Sequence, residues 1–441
     1  MSLRRALGPF DATMVVVGGI IGAGIFINPS LVAQRLASPG LVLAAWAAGG
    51  AIALAGAFAF AELGARIPRA GGQYVYLREG IHPFAGFLFG WASLLMIQGG
   101  GLAAVAITFA QYALRLAGAS PDRGAWLAVA ALVLLTAVNV VGVKPGSRLL
   151  NVLVLLKIGA LAALILGGLR AAQMGPPPAA PAAPAGGTGV LAFGAALVPI
   201  LFSYGGWQNA NVISEEIREP SRTLPRALLV GTAIVLVVYL LVNVVYLAAL
   251  SRDGLAATLT PAADTVRRLF GPTADRLIAA AIAISTFGFL DLTLLAPTRI
   301  YYAMARDGLL PSAFAGLHPR FRTPALAIVL QAVWAIVLVL TGTYGELVDS
   351  VVFADWIFFG LTVVALFLFR RRRTGEESGA KPFRSPGYPI LPALFVAAAG
   401  FTVVSVVASN PRRAAAGTLL LATGIPVYFA MTRRRSRKTA P

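Results

Sequence analysis

Lys157 in Val-Leu-Val-Leu-Leu-Lys-Ile-Gly-Ala-Leu and Asp291 in Ile-Ser-Thr-Phe-Gly-Phe-Leu-Asp are ionisable side chains inside apolar runs, and they bound the chemistry open to this chain. A charge at membrane depth is by default a functional group that handles an ion, a proton or a ligand. Lys157 lies about 12 Å from one end of its run at 1.5 Å per residue. There it either stretches its stem to the interface or turns inward, where carbonyls of an unwound helix receive it. Asp291 can attract a cationic group, bind a proton, or pair with Lys157 or Arg299. Arg299 stands about 12 Å further along a helix, too far for comfortable contact, so a part in selectivity or proton coupling is the expectation. Two such groups are a thin set for acid–base catalysis. The chain has no cysteine, and its two histidines, His82 and His318, fall in connections. Thiolate chemistry and a histidine-rich metal site are excluded; the expectation is a protein that is no enzyme and needs no cofactor.

The other groups able to bind are bare peptides. From Val15 to Phe26 the chain reads Val-Val-Val-Gly-Gly-Ile-Ile-Gly-Ala-Gly-Ile-Phe, with glycines at 18, 19, 22 and 24. Glycine costs about 1 kcal/mol against alanine in a helix interior and admits backbone angles other residues avoid. The stretch is either a helix that comes apart in mid-membrane or a seam for close helix packing. In the first case the freed amides and carbonyls face a protein-lined cavity, where the positive end of the following half-helix favours a carboxylate. Leu197 to Asn211, Leu-Val-Pro-Ile-Leu-Phe-Ser-Tyr-Gly-Gly-Trp-Gln-Asn-Ala-Asn, is a second apolar segment interrupted by paired glycines.

These groups need a membrane scaffold. The chain is 58% hydrophobic and 12% charged, with a mean hydropathy of +0.81, whereas soluble domains are about 25% charged. Apolar runs near 12–36, 41–65, 84–117, 125–143, 149–169, 190–214, 226–250, 274–305, 324–342, 347–369, 388–408 and 414–431 predict twelve spans and an all-α polytopic fold. No cleavable leader is evident, so the first run is expected to stay as a span. The net charge of +19 does not imply nucleic acid, because the basic residues sort by side. With a cytoplasmic N-terminus, 25 Lys and Arg fall inside and 10 outside, which predicts cytoplasmic termini. The tail Arg433, Arg434, Arg435, Arg437, Lys438 reads as an anchor that meets anionic lipid.

Between the second and third spans, Glu62 to Arg78 predicts a cytoplasmic connection with a short interfacial helix, with Tyr74 and Tyr76 as headgroup anchors. Gln98, Gly99, Gly100 and Gly101 predict close approach of a neighbouring helix. Pro176 to Gly187 predicts an extended external linker. The second interrupted helix comes five spans after the first, so helices 1–5 and 6–10 form two halves of opposite orientation, each opening with a discontinuous helix. That pattern predicts an inverted-repeat secondary transporter with a midplane site. The expected organisation is residues 1–170 as the first repeat, 171–189 as linker, 190–370 as the second repeat, 371–387 as a cytoplasmic loop, 388–431 as two further helices and 432–441 as a basic tail.

Gly19-Ile-Ile-Gly-Ala-Gly-Ile-Phe26, Glu62-Leu with Pro68-Arg-Ala-Gly-Gly-Gln-Tyr-Val-Tyr76, Phe202-Ser-Tyr-Gly-Gly-Trp207 with Glu215-Glu216 and Pro220-Ser-Arg-Thr-Leu-Pro-Arg226, and Pro382-Phe-Arg-Ser-Pro-Gly-Tyr-Pro389 resemble the amino acid-polyamine-organocation superfamily. The L-type amino acid exchangers within it are the most similar group. The resemblance covers nearly the whole chain and implies a five-plus-five repeat with two added helices. It implies alternating access to an amino acid, by sodium-independent exchange or proton-coupled uptake.

The resemblance places the substrate carboxylate on amides of Gly22, Ala23 and Gly24 and the ammonium on carbonyls of Ile20, Phe202 and Gly205. Trp207 and Asp291 complete the expected substrate set, and Phe202 is also the aromatic that closes over the substrate. Lys157 matches a lysine that replaces a sodium ion and ties the first helix to the eighth through Ser285 and Thr286. Where the exchangers usually carry asparagine this chain has Asp291, which argues against a simple large-neutral amino acid assignment. The animal exchangers are linked to a partner glycoprotein by a disulfide, which a chain without cysteine cannot form. The expectation is a protein acting alone in a bacterial-type inner membrane, with amino acid and membrane lipid as its partners. An amino acid sensor on the same fold is the alternative, and would ordinarily carry a signalling tail. A channel is disfavoured, since two mutually inverted broken helices suit occlusion better than an open pore.

Overall fold

The structure, a computed structural model, describes residues 7–69, 71–142, 147–171, 174, 177, 186–212, 214–295, 297–321, 323–372 and 383–439; the side chains of 147–151, 153, 169–171, 215, 292, 295, 299, 303 and 434–439 are outside that description. Most of the expected linker, the tip of the loop before residue 383 and the basic tail's side chains beyond Arg433 therefore lie outside the described residues.

Helices make up the architecture, with only isolated bridges at Leu7–Ile217 and Leu36–Gly187 among the described residues. In chain order they are α1 (Pro9–Ile20), α2 (Asn28–Arg35), α3 (Pro39–Arg66), α4 (Gln73–Gly80), α5 (Pro83–Ala92), α6 (Gln98–Ala117), α7 (Gly124–Val141), α8 (Ser147–Ala171), α9 (Val190–Tyr204), α10 (Asn209–Val212), α11 (Pro220–Ala257), α12 (Pro261–Phe270), α13 (Pro272–Leu295), α14 (Thr298–Arg306), α15 (Ala325–Thr341), α16 (Tyr344–Arg371), α17 (Ile390–Ser409), α18 (Pro411–Ala422) and α19 (Gly424–Thr439). Local sequence sets many of these limits. Proline opens α3, α5, α11, α13 and α18, where a missing N–H leaves no intrahelical bond unmade. Gly118 and Gly142 close α6 and α7 with φ of 62° and 86°, left-handed angles that glycine adopts without strain.

Among the described residues eight helical stretches are long and apolar enough to cross a bilayer, and Pro9–Ile20, Val154–Gly168, Val190–Tyr204 and Ala325–Thr341 are shorter apolar helices. Two of the short ones, α1 and α9, are the segments that open the expected halves, and each is short because it stops at glycine-rich backbone. Close helix approach accounts for other glycines. A Cβ on Gly99 would come 2.6 Å from Trp334 Cδ1, and one on Gly100 would come 2.6 Å from Val351 Cγ2, so the expected packing at that cluster is what the structure has.

The connection between the second and third spans does contain a short helix, α4, but its tyrosines are not headgroup anchors. Tyr74 and Tyr76 are buried in protein. Tyr74 donates to Asp307 at 2.6 Å, and the Tyr76 hydroxyl accepts from Asn211 at 3.1 Å. An aromatic hydroxyl with a protein partner no longer needs the interface. Burial, followed by the Asp307 carboxylate, pushes the Tyr74 phenol above its usual range, so it stays a neutral donor.

The far end of α3 joins the end of α16 through a fully buried carboxylate. Glu62 accepts from Arg66 Nε at 2.9 Å, from Arg370 Nε at 2.8 Å, from an Arg370 terminal nitrogen at 2.6 Å and from the Ser385 amide at 2.7 Å. The Arg370 guanidinium also lies 3.7 Å from the Tyr388 ring centroid.

Candidate functional site

The site is where two helices stop. After Ile20 the chain takes φ −72°, ψ 72° at Ile21, and the Gly22 amide donates to the Ile20 carbonyl at 2.7 Å. That is an inverse γ-turn. A 3₁₀ turn at Gly24–Phe26 follows, and helix resumes at Asn28. Similarly α9 ends at Tyr204, and four turn residues separate it from α10. Both interruptions read from the glycines are present as breaks.

The breaks touch through bare backbone. Gly206 has φ +108°, and a Cβ there would lie 2.1 Å from the Gly19 carbonyl oxygen, so no other residue fits. A Cβ on Gly24 would lie 2.6 Å from Ser203 Oγ and 2.8 Å from Ser203 Cα. Asn28 holds this contact by donating to Ser203 Oγ at 2.7 Å and to the Pro199 carbonyl at 2.8 Å. Pro199 itself lacks the N–H that would engage the carbonyl of Ala195, and Arg35 donates to that freed carbonyl while pairing with Asp349 at 3.2 Å. Thus one proline within α9 provides the point at which the end of α2 is fastened.

Unwinding releases carbonyls as well as amides, and buried tyrosines answer three of the carbonyls at the first break. Tyr239 donates to Ile20 at 3.0 Å, Tyr112 to Phe26 at 2.7 Å and Tyr246 to Ile25 at 3.5 Å. A carbonyl has two lone pairs; with Gly22 and Tyr239 both donating, Ile20 is filled. Among the described residues the amides of Ala23 and Gly24 donate to no acceptor and the carbonyl of Gly205 accepts from no donor. Phe202 accepts only from the Gly205 amide, at 3.1 Å. Of the residues expected to bind, Ala23, Gly24, Phe202 and Gly205 therefore keep backbone capacity, whereas Gly22 and Ile20 are bonded to each other. Unmet buried N–H and C=O groups are rare in folded proteins, so a cluster of them marks a place prepared for a ligand.

Lys157 is turned into the protein, 3% exposed, with Nζ 4.4 Å from the Phe289 ring centroid. The Phe289 ring in turn covers Gly22, where a Cβ would come 2.9 Å from its Cε1. The fifth-span lysine thus meets the first helix across a phenylalanine of α13, a cation–π contact. Ser285 and Thr286 are buried on the same helix, and Thr286 donates back to Ile282 at 2.7 Å and to Ala283 at 3.1 Å.

Asp291 does not reach the break, and Trp207, although its backbone is part of the second break, turns its indole into the core. Asp291 accepts from Asn139 of α7 at 2.5 Å; two residues beyond Phe289 is about 200° around a helix, so it faces away from Gly22. The side chain of Arg299, offered as its partner, is outside the described residues. The Trp207 indole is buried edge-on to Phe60, centroids 4.7 Å apart, and stacks on Phe359 at 5.3 Å. Sequence reasoning missed Phe289, Asn28, Ser203 and the three tyrosines; the tyrosines' signal is a polar tip inside an apolar span. It also missed Asp355, a further carboxylate within the apolar run of α16.

An all-helical bundle of apolar spans, built around two helices broken against each other with backbone groups left open at the break, has the architecture of a membrane transporter. The chain belongs to the amino acid permease family, which it matches over residues 7–431. It is 30% identical to the serine/threonine exchanger SteT of Bacillus subtilis (strain 168), covering 98% of both chains. It is 32% identical to the human large neutral amino acids transporter small subunit 2, over 97% of this chain and 81% of that one. It is 31% identical to the mouse b(0,+)-type amino acid transporter 1, over 97% of this chain and 88% of that one. These relatives are transporters, not enzymes, and amino acid transport is the activity of the family.

Proposed function

We propose that this protein moves amino acids with neutral side chains across a cell membrane by alternating access, as a sodium-independent exchanger with both termini in the cytoplasm. The observation that carries the reading is the set of open peptide groups at the paired breaks. Ala23 and Gly24 amides suit a carboxylate, and Gly205 and Phe202 carbonyls suit an ammonium, each at the helix end whose dipole favours it. Lys157 of α8 sets its amine against α13 and, across Phe289, against α1, where a positive group would do what a bound sodium ion does, which supports independence from sodium. A substrate side chain is then read by Phe202 and its neighbours, and Asp291, facing α7, acts at a distance from it. The names of the bacterial and human relatives, a serine/threonine exchanger and a large neutral amino acids transporter, agree with this class. The twelve spans and the inverted repeat of 1–170 and 190–370, with helices of 388–431 added, complete the proposal. Without cysteine, the chain has no disulfide-linked subunit.

The test is reconstitution in liposomes with radiolabelled serine, threonine and leucine. Exchange requires internal amino acid for uptake. Uptake driven by an imposed pH gradient alone replaces exchange with proton symport, and no uptake across a broad amino acid panel counts against transport itself.

Two substitutions probe the geometry. For Lys157→Ala we expect turnover about 30-fold slower with the protein still folded, the equivalent of the roughly 2 kcal/mol of a desolvated cation–π contact. Unchanged rates in a counterflow assay would leave Lys157 a packing residue. Tyr239→Phe removes one donor from the filled Ile20 carbonyl, so that carbonyl becomes available to a substrate ammonium. One hydrogen bond is worth about 1 kcal/mol, so binding should tighten about fivefold; scintillation proximity measurements read it, and weaker binding would exclude Ile20 from the ammonium site.

A further inference from the structure

We infer that a groove beside α1 is a binding site for an anionic glycerophospholipid, with one acyl chain along its floor and the phosphate on Arg226. The groove, of about 440 Å³, is lined by Pro9, Phe10, Met14, Val17, Ile158 and Val230, with Thr13, Arg226 and Ile234 completing it. On α11, Arg226, Val230 and Ile234 follow at four-residue spacing and so form one stripe. On α1 the lining runs from Pro9 to Val17, about 12 Å at 1.5 Å per residue. The two stripes run in register, since a Cβ on Gly231 would meet Val16 Cγ1 at 2.7 Å.

The lining grades from charged to apolar as it deepens. Arg226 lies six residues into α11, which runs from Pro220 to a kink at Ser251; at about 46 Å that stretch is longer than the roughly 30 Å hydrocarbon core and projects beyond it. Arg226 thus falls at headgroup level, with Val230 and Ile234 about 6 and 12 Å deeper. Among the described residues Arg226 has no ion-pair partner. Phe10 is 70% exposed and Val230 51% exposed, so the groove opens outward from the bundle, where the solvent is lipid. An apolar furrow left empty forfeits dispersion contacts along its whole length, and a lone guanidinium at the surface of a membrane draws anionic headgroups. One molecule answers both demands. Its chain would lie against the half-helix that ends at the proposed substrate break, so occupancy would bear on how readily α1 moves.

The experiment uses the full-length protein in nanodiscs of equal parts phosphatidylglycerol and phosphatidylcholine, with native mass spectrometry counting each lipid retained. It reads mass, so a failure of the transport reading does not affect it. Wild type is expected to keep one phosphatidylglycerol in preference to phosphatidylcholine. Arg226→Gln should lower that preference about fivefold, the effect of one basic residue at a membrane surface. Val230→Trp, at an exposed position, should fill the furrow and release the retained lipid whatever its headgroup, with an unchanged melting temperature showing intact fold. Equal retention of both lipids by wild type, or retention unaltered in both variants, overturns the proposal.

Discussion

Gly24→Leu is expected to abolish amino acid binding while the protein stays inserted and helical. The first added carbon already meets Ser203 at 2.6 Å from Oγ and 2.8 Å from the main-chain Cα, and main chain cannot step aside as a flexible side-chain tip can. The remaining carbons must occupy the space between the breaks or push α9 away from Asn28, whose bonds to Ser203 Oγ and the Pro199 carbonyl hold the two together. Either outcome removes the Ala23 and Gly24 amides from reach of a carboxylate. We expect an affinity loss of at least about 100-fold, or roughly 2.7 kcal/mol, measured by binding to purified protein with circular dichroism as the control for folding. Retained affinity in a folded variant would show that the substrate does not use this backbone.

Glu62→Leu carries the largest expected effect on stability. Its carboxylate is fully buried and takes hydrogen bonds from Arg66, Arg370 and the Ser385 amide. Removing one member of a buried ionic cluster leaves the others desolvated and uncompensated, a loss of about 3–5 kcal/mol. A thermal denaturation series in detergent should show a large fall for Glu62→Leu and a smaller one for Glu62→Gln, which keeps one acceptor oxygen but loses the charge and the second acceptor. Equal stability in all three proteins would mean that the cluster is solvated and contributes little.

The motifs at Glu62 and Pro382 to Pro389 stand more than 300 positions apart, and nothing local says that they meet. Their spacing carried no partner information because a buried ion pair is formed between elements, not within one. In the fold, Ser385 and Tyr388 close on the Glu62 and Arg370 pair. The same limit explains Tyr74 and Tyr76. An amphipathic ring in a loop fits a headgroup as well as a protein interior, and only the positions of Asp307 and Asn211 decide between them.

Composition and periodicity determined a great deal by themselves. Apolar runs of bilayer length make an all-helical membrane bundle unavoidable, because hydrocarbon offers the backbone no partner outside a helix. Glycines at 19, 22, 24, 205 and 206 located both interruptions, because a missing Cβ is a property of the residue and needs no neighbour to express it. Tertiary structure alone decided which of the released groups stay open. Ile20 and Gly22 satisfy each other with Tyr239, whereas the Ala23 and Gly24 amides and the Gly205 carbonyl find no partner among the described residues. It also decided that Lys157 faces Phe289 and Gly22 and that Asp291 turns to Asn139. The direction of a side chain around a buried helix follows from the helices packed against it, and in a span that is apolar on every side the sequence has no polar face from which to read that direction.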